Sequence, residues 1–120
     1  MSLQPVPIQN VPGVPDYTCT AFLPKSSDYC LLIPVINEGA RILTELGRAQ
    51  KAGIDQLCDI VICDGGSTDG SMNPDTLELY GVNTLLVKTG PGKQGAQLRM
   101  GLHFALTFGY KGVLTIDGNN

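Results

Sequence analysis

Basic residues are scarce in this chain: eight Lys and Arg stand against eleven Asp and Glu, giving a net charge of −3. That balance excludes the basic face of a nucleic-acid binder, and the scattered cations make no patch for anionic lipid. No apolar run approaches the ~18 residues of a membrane span, and no basic-plus-apolar signal pattern opens the sequence. His103 is the only histidine and tryptophan is absent. A single His completes no zinc site, so His103 reads as a helix-face residue. The four cysteines, Cys19, Cys30, Cys58 and Cys63, show no CxxC spacing. Cys30 and Cys63 lie in apolar runs, where free Cys behaves as a small hydrophobe. A reduced, cytoplasmic protein is the expectation.

Several catalytic signatures are missing too. GxxxxGK followed by Ser or Thr is absent, so Gly90-Pro91-Gly92-Lys93 is not a phosphate-binding loop of that kind. No GxSxG nucleophile elbow occurs. A Ca²⁺ loop starting at Asp64 fails, because Gly66 and Thr68 would occupy ligand positions and Asp69 stands where Gly is required.

What is present has a rhythm. Hydrophobic residues make up 42% of the 120 and charged residues only 16%, enough apolar mass for one core. Residues 1–28 carry Pro5, Pro7, Pro12, Pro15 and Pro24, too many for a helix or a central strand. They predict an extended arm that packs on the domain or on a neighbouring chain, with a homodimer through the arm as the protein partner. Strands are expected at Tyr29–Val35, Asp59–Cys63, Thr84–Lys88 and Val113–Ile116. Between them, Asn37 suits an N-cap, with Glu38 in the first turn and Ile42, Leu43, Leu46 and Ala49 on an apolar face. Asn73-Pro74-Asp75 starts a short helix through about Leu79, with Pro74 at its first position. Ala96, Leu98, Leu102, Ala105 and Leu106 give a further helix its apolar face. The order β-α-β-α-β-α-β predicts an α/β fold with a three-layer, mostly parallel sheet over residues 29–120. A last strand running into polar residues at position 120 suggests the first half of a longer domain.

In such sheets ligands bind beyond the carboxyl ends of the strands. Three exits carry polar residues there: Asn37-Glu38, Asp64 to Asp69, and Asp117 with Asn119. A carboxylate can accept bonds from a base or from ribose hydroxyls, and Mg²⁺ or Mn²⁺ favours oxygen ligands shared with phosphates. The convergence therefore suits a nucleotide plus a divalent metal.

Four segments, taken in order, resemble family-2 glycosyltransferases of the GT-A fold, nearest the dolichol-phosphate mannose synthase-like branch. They are Ile33-Pro34-Val35-Ile36-Asn37-Glu38, Val61 through Gly70, Gly95-Ala96-Gln97-Leu98-Arg99-Met100-Gly101 and Thr115-Ile116-Asp117-Gly118-Asn119. The resemblance implies a Rossmann-like nucleotide-sugar-binding half, with the backbone around Pro34, Val35, Asn37 and Glu38 and the side chain of Asp64 lining the base and ribose pocket. Gly65 stands where many relatives carry a second Asp. Asp69 would close its own turn. Lys93 and Arg99 would offset pyrophosphate charge. Asp117 takes the first position of the family's Asp-X-Asp metal motif, and Asn119 replaces the second acid with a neutral oxygen donor. The implied reaction is inverting, metal-dependent transfer of a sugar from a nucleoside-diphosphate sugar to an acceptor such as a polyprenyl phosphate, which would bring the full-length protein to a membrane. The general base is expected beyond residue 120, so the isolated chain is expected to be inactive.

Two other classes stay open at this point. A sugar-phosphate nucleotidyltransferase uses a related sheet, but calls for a Gly-rich, Arg- and Lys-bearing loop after the first strand, where this chain has Asn37-Glu38-Gly39. A non-catalytic nucleotide-binding or interaction domain is the other.

Overall fold

The apolar runs pair side by side in a computed structural model that describes residues 3–6, 13–92 and 94–116. In chain order the elements are β1 (Leu3–Val6), β2 (Tyr17–Ala21), β3 (Tyr29–Val35), α1 (Arg41–Lys51), α2 (Ile54–Leu57), β4 (Asp59–Asp64), α3 (Pro74–Leu79), β5 (Thr84–Lys88), α4 (Gln94–Thr107) and β6 (Gly112–Ile116). They build one sheet in the order β1-β6-β3-β4-β5-β2. The four inner strands run parallel, and the two edge strands run antiparallel to their neighbours. The expected α/β, mostly parallel architecture is present.

Alternation along each strand divides the core between two faces. Leu31, Ile33, Ile60, Ile62 and Leu85 face Ile42 and Leu46 of α1 and Leu77 of α3. Cys30, Leu32, Val61, Cys63 and Leu86 face Met100, Phe104 and Ala105 of α4. Burying each of the large aliphatic side chains contributes about 1.5–3 kcal/mol. Topology explains why α4 stands alone on its face. From β3 to β5 the chain steps in one direction, but β6 returns to the far side of β3. Right-handed crossovers then require the helix of that return to lie on the opposite face. Gly101 lets α4 lie close to the sheet: a Cβ there would fall 2.7 Å from Cys63 Sγ and 3.0 Å from Leu32 Cδ1.

The structure corrects the sequence reading at three places and refines it at another, the leader, which packs on the domain and does so as strands. The proline-rich leader supplies both edge strands: β2 runs along β5 from Tyr17↔Lys88 to Ala21↔Thr84, and β1, with Pro5 in it, runs along β6. An edge strand pairs on one side only and so tolerates proline. Asn37 is not a helix cap. Helix α1 starts four residues later, at Arg41, with Ala40 in the cap position and no side-chain cap bond. The unforeseen turn α2 follows Gly53, whose φ of 77° ends the preceding helix. Leu106 is 52% exposed, whereas Ala96 and Ala105 are buried as expected, Leu98 and Leu102 pack partly buried against the core, and Gln97, Met100 and Phe104 complete the inner side of α4. The Asn73 cap is as expected, its side chain accepting from Thr76 N at 3.3 Å.

Candidate functional site at the strand ends

Val35 and Asp64 are register partners, so β3 and β4 deliver their loops to one place. Asp64 is 2% exposed. Its carboxylate turns into its own loop, accepting from Ser67 N at 3.1 Å on Oδ1 and 3.0 Å on Oδ2, and from Ser67 Oγ at 2.6 Å on Oδ1. A carboxylate oxygen accepts about two bonds, which leaves Oδ2 with more acceptor capacity than Oδ1 among the described residues. Gly65 N donates to Val35 O at 2.9 Å. At Gly66, φ is 103°, a conformation that side chains rarely adopt.

The Asn37 loop and the Asp64 loop are clasped together. Asn37 N donates to Ser67 Oγ at 2.8 Å, and Asn37 Oδ1 accepts from Thr68 N at 2.8 Å. Holding both bonds sets Asn37 at φ 46°, in the left-handed region that Asn tolerates better than most residues. This is the physical reason it does not cap α1. Glu38 lies ahead of α1 and not in its first turn, and it forms an ion pair with Arg41, the first residue of that helix.

Asp69 completes the clasp. Its Oδ2 accepts from Gly39 N at 3.0 Å, and its Oδ1 accepts from Ser71 N at 3.0 Å and Ser71 Oγ at 2.5 Å. It closes the turn, as the sequence led one to expect. The Ser71 hydroxyl, then the Ser71 and Gly39 amides, hold its carboxyl below the usual carboxylate value. The folded state therefore binds this proton less readily than the unfolded state. The contribution is fully present above the ordinary Asp value near pH 4 and is lost as pH falls through the lower folded value. Asp69→Asn is expected to remove part of the acid-side slope of stability below about pH 4 while leaving the neutral-pH slope unchanged. Urea melts at pH 3 and pH 7 check this.

One site residue had no role assigned from the sequence, though it lies within the Gly95–Gly101 segment of the family resemblance. Gln97 is 4% exposed, and its Nε2 donates to Val35 O at 2.7 Å and to Cys63 O at 2.9 Å. It bridges the ends of the two strands from the α4 side and fills the space over Gly65, where a Cβ would lie 3.0 Å from Gln97 Cδ. The available signal was a polar residue on the buried face, three positions before Met100 and four before Gly101.

The other expected residues are distributed as follows. Pro34, Val35 and Glu38 line a cavity of about 20 Å³ with Arg41, Ile42 and Ile116, room for about one water molecule. Arg99 Nε donates to Gly13 O at 3.1 Å and ties the leader to α4, with Nη1 beside Gly95, where a Cβ would lie 3.2 Å from it. Lys93, Asp117 and Asn119 lie outside the described residues, and so does the expected pair of metal ligands. A larger concavity of about 270 Å³ lies on the outer side of the clasp, lined by Gly39, Leu43, Asp69, Ser71, Asn73 and Thr76 among others.

The remaining polar groups of note are structural. At the opposite end of β4, Asp59 is 1% exposed and accepts from Ser26 N, Ser26 Oγ and Tyr110 Oη at 3.0, 2.7 and 2.6 Å. Burial, followed by the bond to Asp59, pushes the Tyr110 hydroxyl well up. His103 Nδ1 lies 2.6 Å from Tyr17 Oη, on the outer part of α4. All four cysteines are free, and only Cys19 is exposed. Burial, with Asp59 nearby, pushes the Cys30 thiol up to about 12. Among the described residues no helix is long and apolar enough to cross a membrane. No protein-family model, curated protein or solved structure matches this chain.

Proposed function

We propose that this chain is the donor-nucleotide half of a glycosyltransferase similar to family 2, a Rossmann-like GT-A unit that binds a nucleoside-diphosphate sugar. The observation that carries the reading is the clasp. Two of the segments behind the family resemblance, around Asn37 and around Asp64, are separated in sequence by α1 and α2, yet they bond to each other directly. They do so at the carboxyl ends of adjacent parallel strands. Next to them, between β3 and β6, the strand order reverses, which is where open α/β sheets place their ligands.

In this reading Asp64 Oδ2 accepts from the base or the ribose, and Ser67 holds the carboxylate in place. Gly65 and Gly66 bring the loop backbone near the ligand. Lys93, which directly precedes α4 in the sequence, is proposed to supply charge to the diphosphate, and Arg99 to add to it. Asp117 and Asn119 follow β6 and would hold Mg²⁺ or Mn²⁺ through oxygen, with a single formal charge between them. When bound, the cation would stabilise the departing diphosphate. No residue of the chain is assigned as general base. The acceptor is proposed to be a hydroxyl or an ionised lipid phosphate.

Thermal unfolding with UDP or GDP, with and without MnCl₂, tests this reading. A ligand at about 100 times its dissociation constant adds about 2.7 kcal/mol, so the midpoint should rise with one of the two nucleotides and rise further with Mn²⁺. An unchanged midpoint at millimolar nucleotide counts against the reading.

A further inference from the structure

We propose that two copies of this chain pair antiparallel along β2, across a twofold axis at Cys19, so that the two sheets become one. The outer side of β2 is ready for this. In an antiparallel pair, alternate residues point their N–H and C=O groups toward the partner strand. Asp16 O accepts from Thr89 N at 2.9 Å, and Phe22 N donates to Asn83 O at 2.8 Å. These bonds fix the even positions as the ones that face β5. Tyr17, Cys19 and Ala21 therefore aim their backbone groups away from the sheet. Thr18, Cys19, Thr20 and Ala21 are all exposed, and no described strand lies on that side.

The edge also lacks the usual protections. From Tyr17 to Leu23 there is no charge, no proline and no glycine, whereas edge strands that must stay unpaired generally carry a Lys, a Pro or a bulge. Its sequence suits a second copy of itself. With Cys19 on the axis, Thr18 falls opposite Thr20 on both sides, a favourable cross-strand pair, and Tyr17 falls opposite the small Ala21.

A second feature points to the same contact. Beside β2, on the α4 face, Ala21, Leu23, Phe104, Phe108 and Tyr110 line an apolar groove of about 280 Å³, with Phe108 left 53% exposed. Tyr17 and Ala21 lie on that same face by the alternation of the strand. Antiparallel pairing would set Tyr17 of one copy at the mouth of the groove of the other. One twofold contact would thus pair the open backbone and cover the groove.

Cys19 reports the register. Residues opposite each other in a hydrogen-bonded antiparallel pair have Cα atoms about 5.5 Å apart, within the range that a disulfide spans. Diamide would oxidise two facing thiols to one disulfide, taking up their two electrons and two protons. In reducing buffer, sedimentation of the purified chain from about 1 to 500 µM should show mass rising toward twice 12.7 kDa. Diamide should then give a dimer band on non-reducing gels that Cys19→Ser abolishes, with Cys19→Ser still associating in sedimentation. Cys19→Arg sets two like charges opposite each other. It should weaken association at least tenfold at an unchanged melting midpoint, whereas Leu57→Arg, at a position 74% exposed, should leave association unaltered. A monomer throughout the range, a cross-link that survives Cys19→Ser, or a dimer indifferent to Cys19→Arg would overturn the proposal.

Discussion

Replacing Gln97 with Glu is expected to cost about 4 kcal/mol at pH 7, with most of the loss recovered in acid. The amide nitrogen of Gln97 donates to two carbonyl oxygens at 2.7 and 2.9 Å in a position 4% exposed. Glu would set an ionised, acceptor-only group against those same oxygens, with burial and repulsion both opposing its charge. A shift of about 3 pH units for such a carboxyl corresponds to about 4 kcal/mol. The folded value is raised above the unfolded one, so the folded state holds the proton more tightly. Stability is therefore highest below the unfolded Glu value near pH 4 and falls as pH rises through the folded value. In the protonated form the acid can donate one bond where Gln donates two. Gln97→Leu should cost only about 1 kcal/mol, since it removes hydrogen bonds without adding a charge, and its loss should not vary with pH. Urea midpoints for the three proteins at pH 5 and pH 8 give the comparison. The order Gln, then Leu, then Glu at pH 8 is expected, with Glu gaining on Leu at pH 5.

Asp59→Ala is expected to cost about 3 kcal/mol, a large share of the roughly 5–15 kcal/mol that holds a domain folded. Three donors converge on this buried carboxylate: Ser26 N, Ser26 Oγ and Tyr110 Oη. Bonds to a charged group contribute about 1.5–3 kcal/mol each, and a buried donor left without a partner costs about 1–3 kcal/mol. Tyr110 is 7% exposed, so its hydroxyl is the donor that suffers most. Tyr110→Phe removes that donor, and the double variant should then lose less than the sum of the single losses. Lys25 lies over the Tyr110 ring, 5.1 Å from its centre, which puts two residues of the leader, Ser26 and Lys25, on this anchor. Denaturant midpoints of the four proteins measure the coupling, and strict additivity would refute the network.

How far the sequence revealed all this follows from the distance over which each feature is determined. Tyr29–Val35 and Thr84–Lys88 match their strands end to end, because a buried parallel strand is written as a local apolar run. Asn73 caps its helix from three residues away, which is equally local. Asn37 also looked like a cap, but its true partners are Ser67 and Thr68, about thirty positions on, and their bonds outweigh the local preference. The leader strands escaped for a similar reason: proline counts against a central strand, and only the sheet reveals that β1 and β2 are edges. Asp59 reads as the first residue of a strand until Tyr110 is folded against it. Gln97 sat within a segment quoted for its family likeness, but nothing local tells a polar residue on a buried helix face what it will bond.

The candidate site divides in the same way. Asp64 and its glycines stood out because a buried strand ends in them abruptly. The bonding of Asp64 to Ser67, and the stapling of its loop to the Asn37 loop by Asp69, required the fold.

The most direct measurement is nucleotide affinity at Asp64. Titration calorimetry with UDP or GDP in the presence of Mn²⁺ should be run on the unaltered chain and on Asp64→Asn, which keeps one acceptor oxygen for Ser67 N. Saturable binding by the unaltered chain is expected, with at least tenfold weaker binding by the variant at closely similar melting temperatures. Equal affinity in the two proteins, or no binding by either, would contradict a nucleotide site at Asp64.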